Sequence, residues 1–425
     1  MLERRPDGVL AVGQTVSLAD VARDPSMGTP SYVYDLDAMA GEARELRAAF
    51  EGAPHLVAYA VKANSAAAVV KTLVAEGCGA DVVSGAELLL ALRCGVLPDQ
   101  IVFSGVAKTD DELDRAVLAG GAGIGAIQIE SVEEIARIAA RAKAAGRVAR
   151  VSMRINPGVD ADALDTHSYI ATGHDEAKFG VPLPSVADAL DRLANAPELR
   201  LVGVGSHVGS QFTSTDAYLA SARALFGIAK DVRSRFALSF VDAGGGFGID
   251  YGDGCPARPA DFVRATRKLQ AELGLGDLAL YTEPGRSLVG AHGTLVARVI
   301  QRKISGDRRW TMIDAGMNDL MRPALYQARH RIVPVVLDAS APVRPYRVVG
   351  PVCESSDDFG LHDLPDGELR EVAILDAGAY GYSMASRYNG RPLPAEIFVR
   401  GGAVVGKNAR RPPEEWVEDR LRAGI

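Results

Sequence analysis

The sequence predicts an α/β protein in which a closed (β/α)8 barrel of the TIM type is joined to a second, mainly β domain. Three observations lead there. From residue 55 onward, short β-rich apolar runs alternate with amphipathic helical stretches, the pattern that builds a parallel sheet. Eight such runs fit within about 230 residues, which suits a closed barrel better than an open doubly wound sheet. After Gly285 the rhythm changes to strand-like runs with few helices between them. At 425 residues the chain also exceeds one average domain. The barrel is assigned to residues 31–288, and the β domain to residues 1–30 and 289–425.

Taken in order, the eight runs are HLVAYAV from His55, ADVVS from Ala80, IVFSG from Ile101 and IGAIQI from Ile124, then RVSMRI from Arg150, LVGVGSHV from Leu201, SFVDAG from Ser239 and LALYTE from Leu278. Helical stretches such as SAAAVVKTLVAEG and SVEEIARIAARAKAAG lie between them, with glycines near their ends as helix stops. The β domain is read from GTLVARVIQRKI, RRWTMIDAG, RIVPVVL, PYRVVGPV and REVAILDAG, and GVLAVG near the N-terminus is expected to add a strand to it.

Composition narrows the function. Charged residues make up 24%, the hydrophobic set 48%, and the formal net charge is −7. That balance describes an ordinary globular protein and offers no general attraction to nucleic acid or an anionic membrane. The N-terminal MLERRPDGVL has no apolar core of signal-peptide length, and no segment approaches the roughly 18 to 20 apolar residues of a membrane span, so a cytoplasmic location is expected. Cys78, Cys94, Cys255 and Cys353 are far apart with no CxxC pair, which fits reduced thiols, and the seven histidines show no metal-ligand spacing. No metal is expected.

Two motifs are decoys. Gly121 to Ala126 fits GxGxxA but follows a helix and precedes a strand, the reverse of what dinucleotide binding requires. Gly401 to Asn408 fits GxxxxGK, but Asn408 stands where a Mg²⁺-binding Ser or Thr is needed, so it reads as a strand near the C-terminus.

Chemistry is expected at the C-terminal ends of the barrel strands. Lys62 ends the first run, His207 the sixth, Gly244-Gly245-Gly246-Phe247-Gly248 the seventh, and Glu283-Pro284-Gly285-Arg286 the eighth. Singly, each has a plainer explanation: a solvated strand-end charge, a core histidine, a turn, an ion pair. On one rim they offer a phosphate cradle, an amine, a carboxylate, an imidazole and a guanidinium. An amine with a phosphate cradle and no metal signature suggests pyridoxal phosphate, whose aldehyde a lysine captures as a Schiff base.

Those motifs, with YAVKAN, HVGSQ, MNDLMRPALY, CES and DAGAY, resemble the fold-type III (alanine racemase-like) pyridoxal-phosphate decarboxylases, and among them the diaminopimelate decarboxylases, from about Tyr32 to about Val399. The resemblance implies that Lys62 carries pyridoxal 5'-phosphate, that His207 stacks on its ring, and that Ser210, Gly244, Gly245, Gly246 and Tyr380 lie at its phosphate. It implies Glu283 at the pyridine nitrogen, and Asp81, Arg154, Gly285 and Arg286 among the other cofactor residues. Arg286, Arg322, Tyr326, Glu354 and Tyr380 are implied to meet substrate, and Cys353 to act in catalysis. Asp165 to Gly180, DTHSYIATGHDEAKFG, resembles the loop that separates diaminopimelate enzymes from ornithine and arginine relatives, with Ser168 in place of the usual proline. In CESSDDFG, Ser356 and Asp358 stand at positions usually Gly and apolar.

The implied reaction is decarboxylation of meso-2,6-diaminopimelate to L-lysine and CO2, the last step of lysine biosynthesis, by a homodimer with shared active sites. The residue chemistry agrees. A substrate with an amino-acid centre at each end needs a pocket for the end that does not react, and Arg286 and Arg322 suit its carboxylate, Tyr326 adds a hydroxyl and Glu354 suits its ammonium. Cys353 is the candidate acid. A decarboxylase of ornithine, arginine, carboxynorspermidine or a carrier-bound amino acid is the alternative. A racemase would share the lysine and cradle, but is disfavoured by a carboxylate at Glu283. A cofactor-binding protein without catalysis would have no need of CES.

Overall fold

The structure, a computed structural model, describes residues 2–157 and 178–422. Three short strands, β1 (Leu2–Arg4), β2 (Leu10–Val12) and β3 (Val16–Ser17), precede helix α1 (Leu18–Arg23), and β4 (Ser31–Asp35) precedes α2 (Leu36–Ala48). The alternating part then runs β5 (His55–Ala60), α3 (Ala67–Ala75), β6 (Gly79–Val82), α4 (Gly85–Arg93), β7 (Ile101–Phe103), α5 (Asp110–Leu118), β8 (Ala126–Ile129), α6 (Val132–Ala144) and β9 (Ala149–Asn156). It continues with β10 (Val181–Pro182), α7 (Val186–Ala194), β11 (Leu199–Gly205), α8 (Thr215–Arg233), β12 (Phe240–Asp242), α9 (Pro259–Glu272) and β13 (Ala279–Thr282). The remainder comprises α10 (Arg286–Val289), β14 (Gly293–Ser305), β15 (Arg308–Ile313), α11 (Arg322–Tyr326), β16 (Ile332–Pro334), β17 (Val343–Val349), β18 (Asp358–Pro365), β19 (Glu371–Ile374), β20 (Ala395–Arg400), β21 (Ala403–Asn408) and α12 (Pro413–Leu421).

All eight expected barrel runs are strands, all parallel, and β8 pairs with β9 to close the ring that β13 and β5 continue on the other side. The short β10 pairs with the end of β9 outside that ring of eight. Helix starts follow local chemistry: Ser84 and Ser131 accept the N–H groups of Glu87 and Glu134, and Thr109 forms a capping box with Glu112. Near the N-terminal strand ends, Phe240 stacks on Tyr281 at 4.0 Å, and a Cβ on Gly203 would stand 2.3 Å from the Phe240 ring. Burial of such a ring contributes about 1.5–3 kcal/mol. Gly121 to Ala126 lies between α5 and β8, in the loop order that excluded a dinucleotide site.

The second unit is built on the thirteen-residue β14, which pairs with β4, β15 and β19. On one side the sheet extends through β4 to β20 and β21, and on the other through β15 to β17 and β18. GVLAVG does form a strand, β2, but in a separate three-stranded sheet with β1 and β3. Leu10 and Val12 pack in one cluster with Val33, Val296, Val335, Ile397 and Val399.

The unit boundaries differ from those expected at residues 31–40, 250–253 and 288. The compact units comprise residues 41–249 with 254–287, and 1–40 with 250–253 and 288–425. Residues 31–40 were expected in the barrel. They fall in the sheet unit because β4 spends both edges there, pairing antiparallel with β14 and parallel with β20. Strands β18 and β20 were not expected, while GGAVVGKN is β21 and the turn before it, with Gly401 and Gly402 at φ +57° and +71°. All four cysteines are free thiols.

Candidate active site

In the barrel unit, Lys62 lies in a 3₁₀ turn, Val61–Ala63, directly after β5. The turn is held by the Tyr59 hydroxyl, which donates to the Asn64 carbonyl at 2.9 Å, and by the Ala60 N–H, which donates to the Pro284 carbonyl at 3.0 Å. Register places Asp81 on β6 beside Ala60, so the Lys62 Nζ donates to Asp81 Oδ2 at 3.0 Å. Asp81 is wholly buried, while the lysine side chain keeps 36% exposure. The amine is therefore anchored and reachable. The other Asp81 oxygen, Oδ1, is buried without a hydrogen-bond partner among the described residues.

The three glycines after β12 are each required sterically. A Cβ would come within 2.5 Å of the Ser206 carbonyl oxygen at Gly244, 2.0 Å of the Glu283 carbonyl oxygen at Gly245, and 2.3 Å of the Gly209 carbonyl oxygen at Gly246. Gly244 and Gly246 also have φ of +71° and +91°. Asp242, at the end of β12, accepts the Gly244 N–H at 2.9 Å, and the Glu283 N–H donates to the Gly244 carbonyl at 2.9 Å. Arg286 Nη2 donates to Ser210 Oγ at 3.0 Å, and Gly285 is buried just before it.

His207 Nδ1 accepts the Gly245 N–H at 3.2 Å, which puts the proton of the neutral imidazole on Nε2. Its position 3.6 Å from Glu283 Oε2 is not an ion pair, because burial, reinforced by the charges of Arg154 and Lys62, holds the imidazole well below its usual pKa. Burial, with Asp242 and Asp81 adding to it, pushes Glu283 well above the usual carboxyl range. Burial also carries Asp242 up to about 6 against the opposing Gly244 hydrogen bond. Burial thus disfavours the charged form of both the imidazole and the carboxyl beside it.

Sequence reasoning expected Arg154 at the cofactor but missed the acids Glu130 and Asp242 that hold these groups. Arg154, on β9, donates to Glu130 Oε1 at 3.1 Å and to the His207 carbonyl at 3.1 Å. Glu130 also accepts the N–H groups of Gly105 at 2.7 Å and Gly180 at 2.9 Å. Neither Glu130 nor Asp242 belongs to a motif, and only the place of Asp242 immediately before AGGG hinted at its part. Residues Asp165 to Ala177 of the substrate-loop motif lie outside the described residues.

In the sheet unit, Arg322 opens α11 and is buried. Its Nη1 donates to His330 Nε2 at 2.6 Å, His330 Nδ1 donates to the Leu375 carbonyl at 2.9 Å, and the guanidinium lies 4.7 Å over the Tyr251 ring. Tyr326 ends the same helix, half-buried. Cys353 is exposed; its N–H donates to Asn389 Oδ1 at 2.9 Å, and Glu354 accepts the Tyr388 hydroxyl. Asp357 joins the MNDLMRPALY and CES segments by accepting the N–H groups of Met317 at 2.7 Å and Val352 at 2.6 Å. The unusual Asp358 pairs with Arg347, and Ser356 Oγ contacts the Met317 sulfur at 3.6 Å, so both departures are accommodated locally. Tyr380 has φ +55°, in a DAGAY segment where Asp376 is also left-handed, at +58°.

The barrel group fits pyridoxal phosphate. Three positions that admit no Cβ leave a backbone cradle for the phosphate, and a reachable amine serves the aldehyde. A flat neutral imidazole can lie against the ring, and a carboxyl that holds its proton suits a pyridine nitrogen.

Comparison with known proteins agrees with this fit. Residues 36–290 match the family described as pyridoxal-dependent decarboxylase, pyridoxal binding domain. A diaminopimelate decarboxylase of Zymomonas mobilis is 40% identical over 423 residues, covering 98% of this chain and 96% of that one. The crystal structure of diaminopimelate decarboxylase from Helicobacter pylori complexed with L-lysine superposes with a TM-score of 0.88 at 34% identity, over 96% of this chain and 100% of that one. The M. jannaschii enzyme in co-complex with L-lysine gives 0.91 at 32%, over 99% and 97%.

Proposed function

The chain belongs to the pyridoxal-dependent decarboxylases, among the diaminopimelate decarboxylases, and on that premise we propose how its residues convert meso-2,6-diaminopimelate to L-lysine and CO2, the last step of lysine biosynthesis. Bound pyridoxal phosphate supplies an aldehyde for amine capture and a protonated ring that accepts the electron pair left by the departing carboxylate. Lys62 binds that aldehyde, with Asp81 holding the amine in place. Gly244, Gly245, Gly246, Ser210 and Tyr380 hold the phosphate, His207 supports the ring, and Asp81, Arg154, Gly285 and Arg286 complete the cofactor set. Glu283 keeps a proton at the pyridine nitrogen, as its raised pKa allows. Arg286 and Arg322 take the carboxylate of the end that does not react, while Tyr326, Tyr380 and Glu354 hold its remaining polar groups. Cys353 delivers the proton that replaces CO2.

The observation that supports this reading best is the anchored, reachable amine of Lys62 on one rim with Glu283, whose pKa burial raises, and a cradle that no Cβ can enter. Lysine release from meso-diaminopimelate, measured beside ornithine and arginine, tests it; turnover of either alternative at comparable kcat/KM overturns the substrate assignment. Among the described residues no helix is long and apolar enough to cross a membrane, and we place the enzyme in the cytoplasm.

The active form in this proposal is a homodimer in which Cys353 and Glu354 of one chain complete the site built on Lys62 of the other, as a two-fold arrangement presents the same loop once to each site. Mixing inactive Lys62→Ala and Cys353→Ala chains should restore activity, since a mixed dimer contains one intact site. Activity that stays absent in an exchanging mixture rules out sharing.

A further inference from the structure

The segment Arg387–Arg391 touches the Cys353 loop at three points. Arg391 Nη2 donates to the Pro351 carbonyl at 3.1 Å, Asn389 Oδ1 accepts the Cys353 N–H at 2.9 Å, and the Tyr388 hydroxyl donates to Glu354 Oε1. The segment needs an unusual backbone to do so. Asn389 and Gly390 both adopt left-handed conformations, φ +55° and +70°, which asparagine and glycine tolerate better than other residues. It is held from behind as well: a Cβ on Gly390 would lie 3.5 Å from the Trp416 ring of α12, and Arg387 pairs with Asp419 of that helix at 2.9 Å. Asn389 therefore meets Cys353 with an oriented acceptor, and Tyr388 meets a carboxylate whose other oxygen can serve a ligand.

We propose that Asn389 and Tyr388 are positioning residues for the reaction, Asn389 aligning the Cys353 thiol for proton delivery and Tyr388 turning the Glu354 carboxylate toward the substrate ammonium. This rests on the roles proposed above for Cys353 and Glu354. A loop that merely packs needs none of this division: loss of either side chain would then lower stability and leave the kinetic constants moving together. Positioning separates them, because proton delivery enters kcat and ammonium binding enters KM.

The test uses the holoenzyme, with Asn389→Gly, Asn389→Asp, Tyr388→Phe and Cys353→Ala compared at equal cofactor content judged by visible absorbance. Glycine keeps the left-handed backbone and removes only the amide, so Asn389→Gly should lower kcat about tenfold, the effect of one lost hydrogen bond, with KM nearly unchanged. Asn389→Asp retains an acceptor oxygen and should recover most of the loss. Tyr388→Phe should raise KM about tenfold with little change in kcat. Alkylation of Cys353 by iodoacetamide, followed by peptide mass spectrometry, gives a readout independent of turnover; its rate should change in Asn389→Gly and return in Asn389→Asp. Unchanged alkylation and wild-type kcat in Asn389→Gly overturn the role of Asn389, and an unchanged KM in Tyr388→Phe overturns that of Tyr388. If Cys353→Ala itself turns over normally, the acid assignment fails instead, and the alkylation rates still decide whether Asn389 orients the thiol.

Discussion

Replacing Gly245 by alanine separates a steric cradle from an ordinary glycine turn. The added Cβ would stand 2.0 Å from the Glu283 carbonyl oxygen and 2.7 Å from its carbon, where real Cβ atoms stay beyond 3.0 Å. The loops after β12 and β13 must then part by about 1 Å, and since the clash is backbone against methyl, no rotamer change relieves it. That movement pulls on the 2.9 Å bond from the Glu283 N–H to the Gly244 carbonyl and on the Gly245 N–H that orients His207. Overpacking of this kind costs about 1–3 kcal/mol in stability, occasionally more. A displacement of about 1 Å at groups that must act together costs on the order of a hundredfold in function. We therefore expect a lower melting temperature without cofactor and a cofactor Kd raised about a hundredfold, read by titrating the visible absorbance of the Lys62 Schiff base. Gly227→Ala is the control: Gly227 is exposed in α8, its Cβ would meet nothing within 4 Å, and the change should stabilise by about 0.5–1 kcal/mol with cofactor affinity intact. A Gly245→Ala protein with wild-type melting temperature and Kd would refute the cradle.

Glu283→Gln should keep cofactor bound and lose about a hundredfold or more of turnover, because an amide cannot hold an acidic proton; an unimpaired rate counts against the proton-holding role. Arg322→Ala should lower kcat/KM for diaminopimelate by about 2–5 kcal/mol, the range for removing one partner of a buried charged contact, and wild-type selectivity would reassign the distal carboxylate. Asp319 accepts the Gly316 N–H at 2.9 Å and is pushed by burial up to about 7. The unfolded chain releases that proton above about 3.8, so the stability this group contributes is lost as pH rises from there to about 7. Asp319→Asn stays neutral throughout and should melt higher than wild type at pH 8, by up to about 4 kcal/mol, with the difference shrinking toward pH 4. A difference independent of pH would show that Asp319 is ionised in the fold.

The barrel was legible because each of its strands is an apolar run bounded by a change of period, and closure is the economical outcome for eight of them. Strand β18, DFGLHDLP, escaped notice because its exposed and half-buried positions are mixed, with Leu361 outward and Asp358, His362 and Asp363 inside the run, which breaks the alternation that marks a half-buried strand. Residues 31–40 belong to the sheet unit although they lie directly before the barrel in sequence, because only the long-range pairing of β4 with β14 and β20 reveals their sheet. Lys62, His207, the glycines and Glu283 stood out as candidates because chemistry collects where a strand run stops. Glu130 and Asn389 did not. Glu130 contacts residues 24 to 50 positions away, and Asn389 acts through a backbone amide 36 positions away, with no local pattern to announce either contact.

Hydrogen-bond partners divide the acids buried around the barrel rim, where burial disfavours a charged carboxylate. Glu130 accepts two backbone N–H groups and an Arg154 hydrogen bond, and Glu134 accepts Lys108 at 3.1 Å and the Glu130 N–H at 2.9 Å. Asp81 has Lys62. Glu283 lies 3.6 Å from the His207 imidazole and 3.5 Å from the Ser104 hydroxyl and shares a side-chain hydrogen bond with Asp242, while the charges of Asp242 and Asp81 outweigh those of Lys62 and Arg154 nearby. A carboxyl so placed resists ionisation. In the function proposed above, a pyridine nitrogen would take up its proton, and the carboxylate left behind would keep that nitrogen charged. The same arrangement explains why a racemase is disfavoured here, since a site that keeps the ring charged draws electrons strongly, which serves loss of CO2 better than reversible loss of a proton alone.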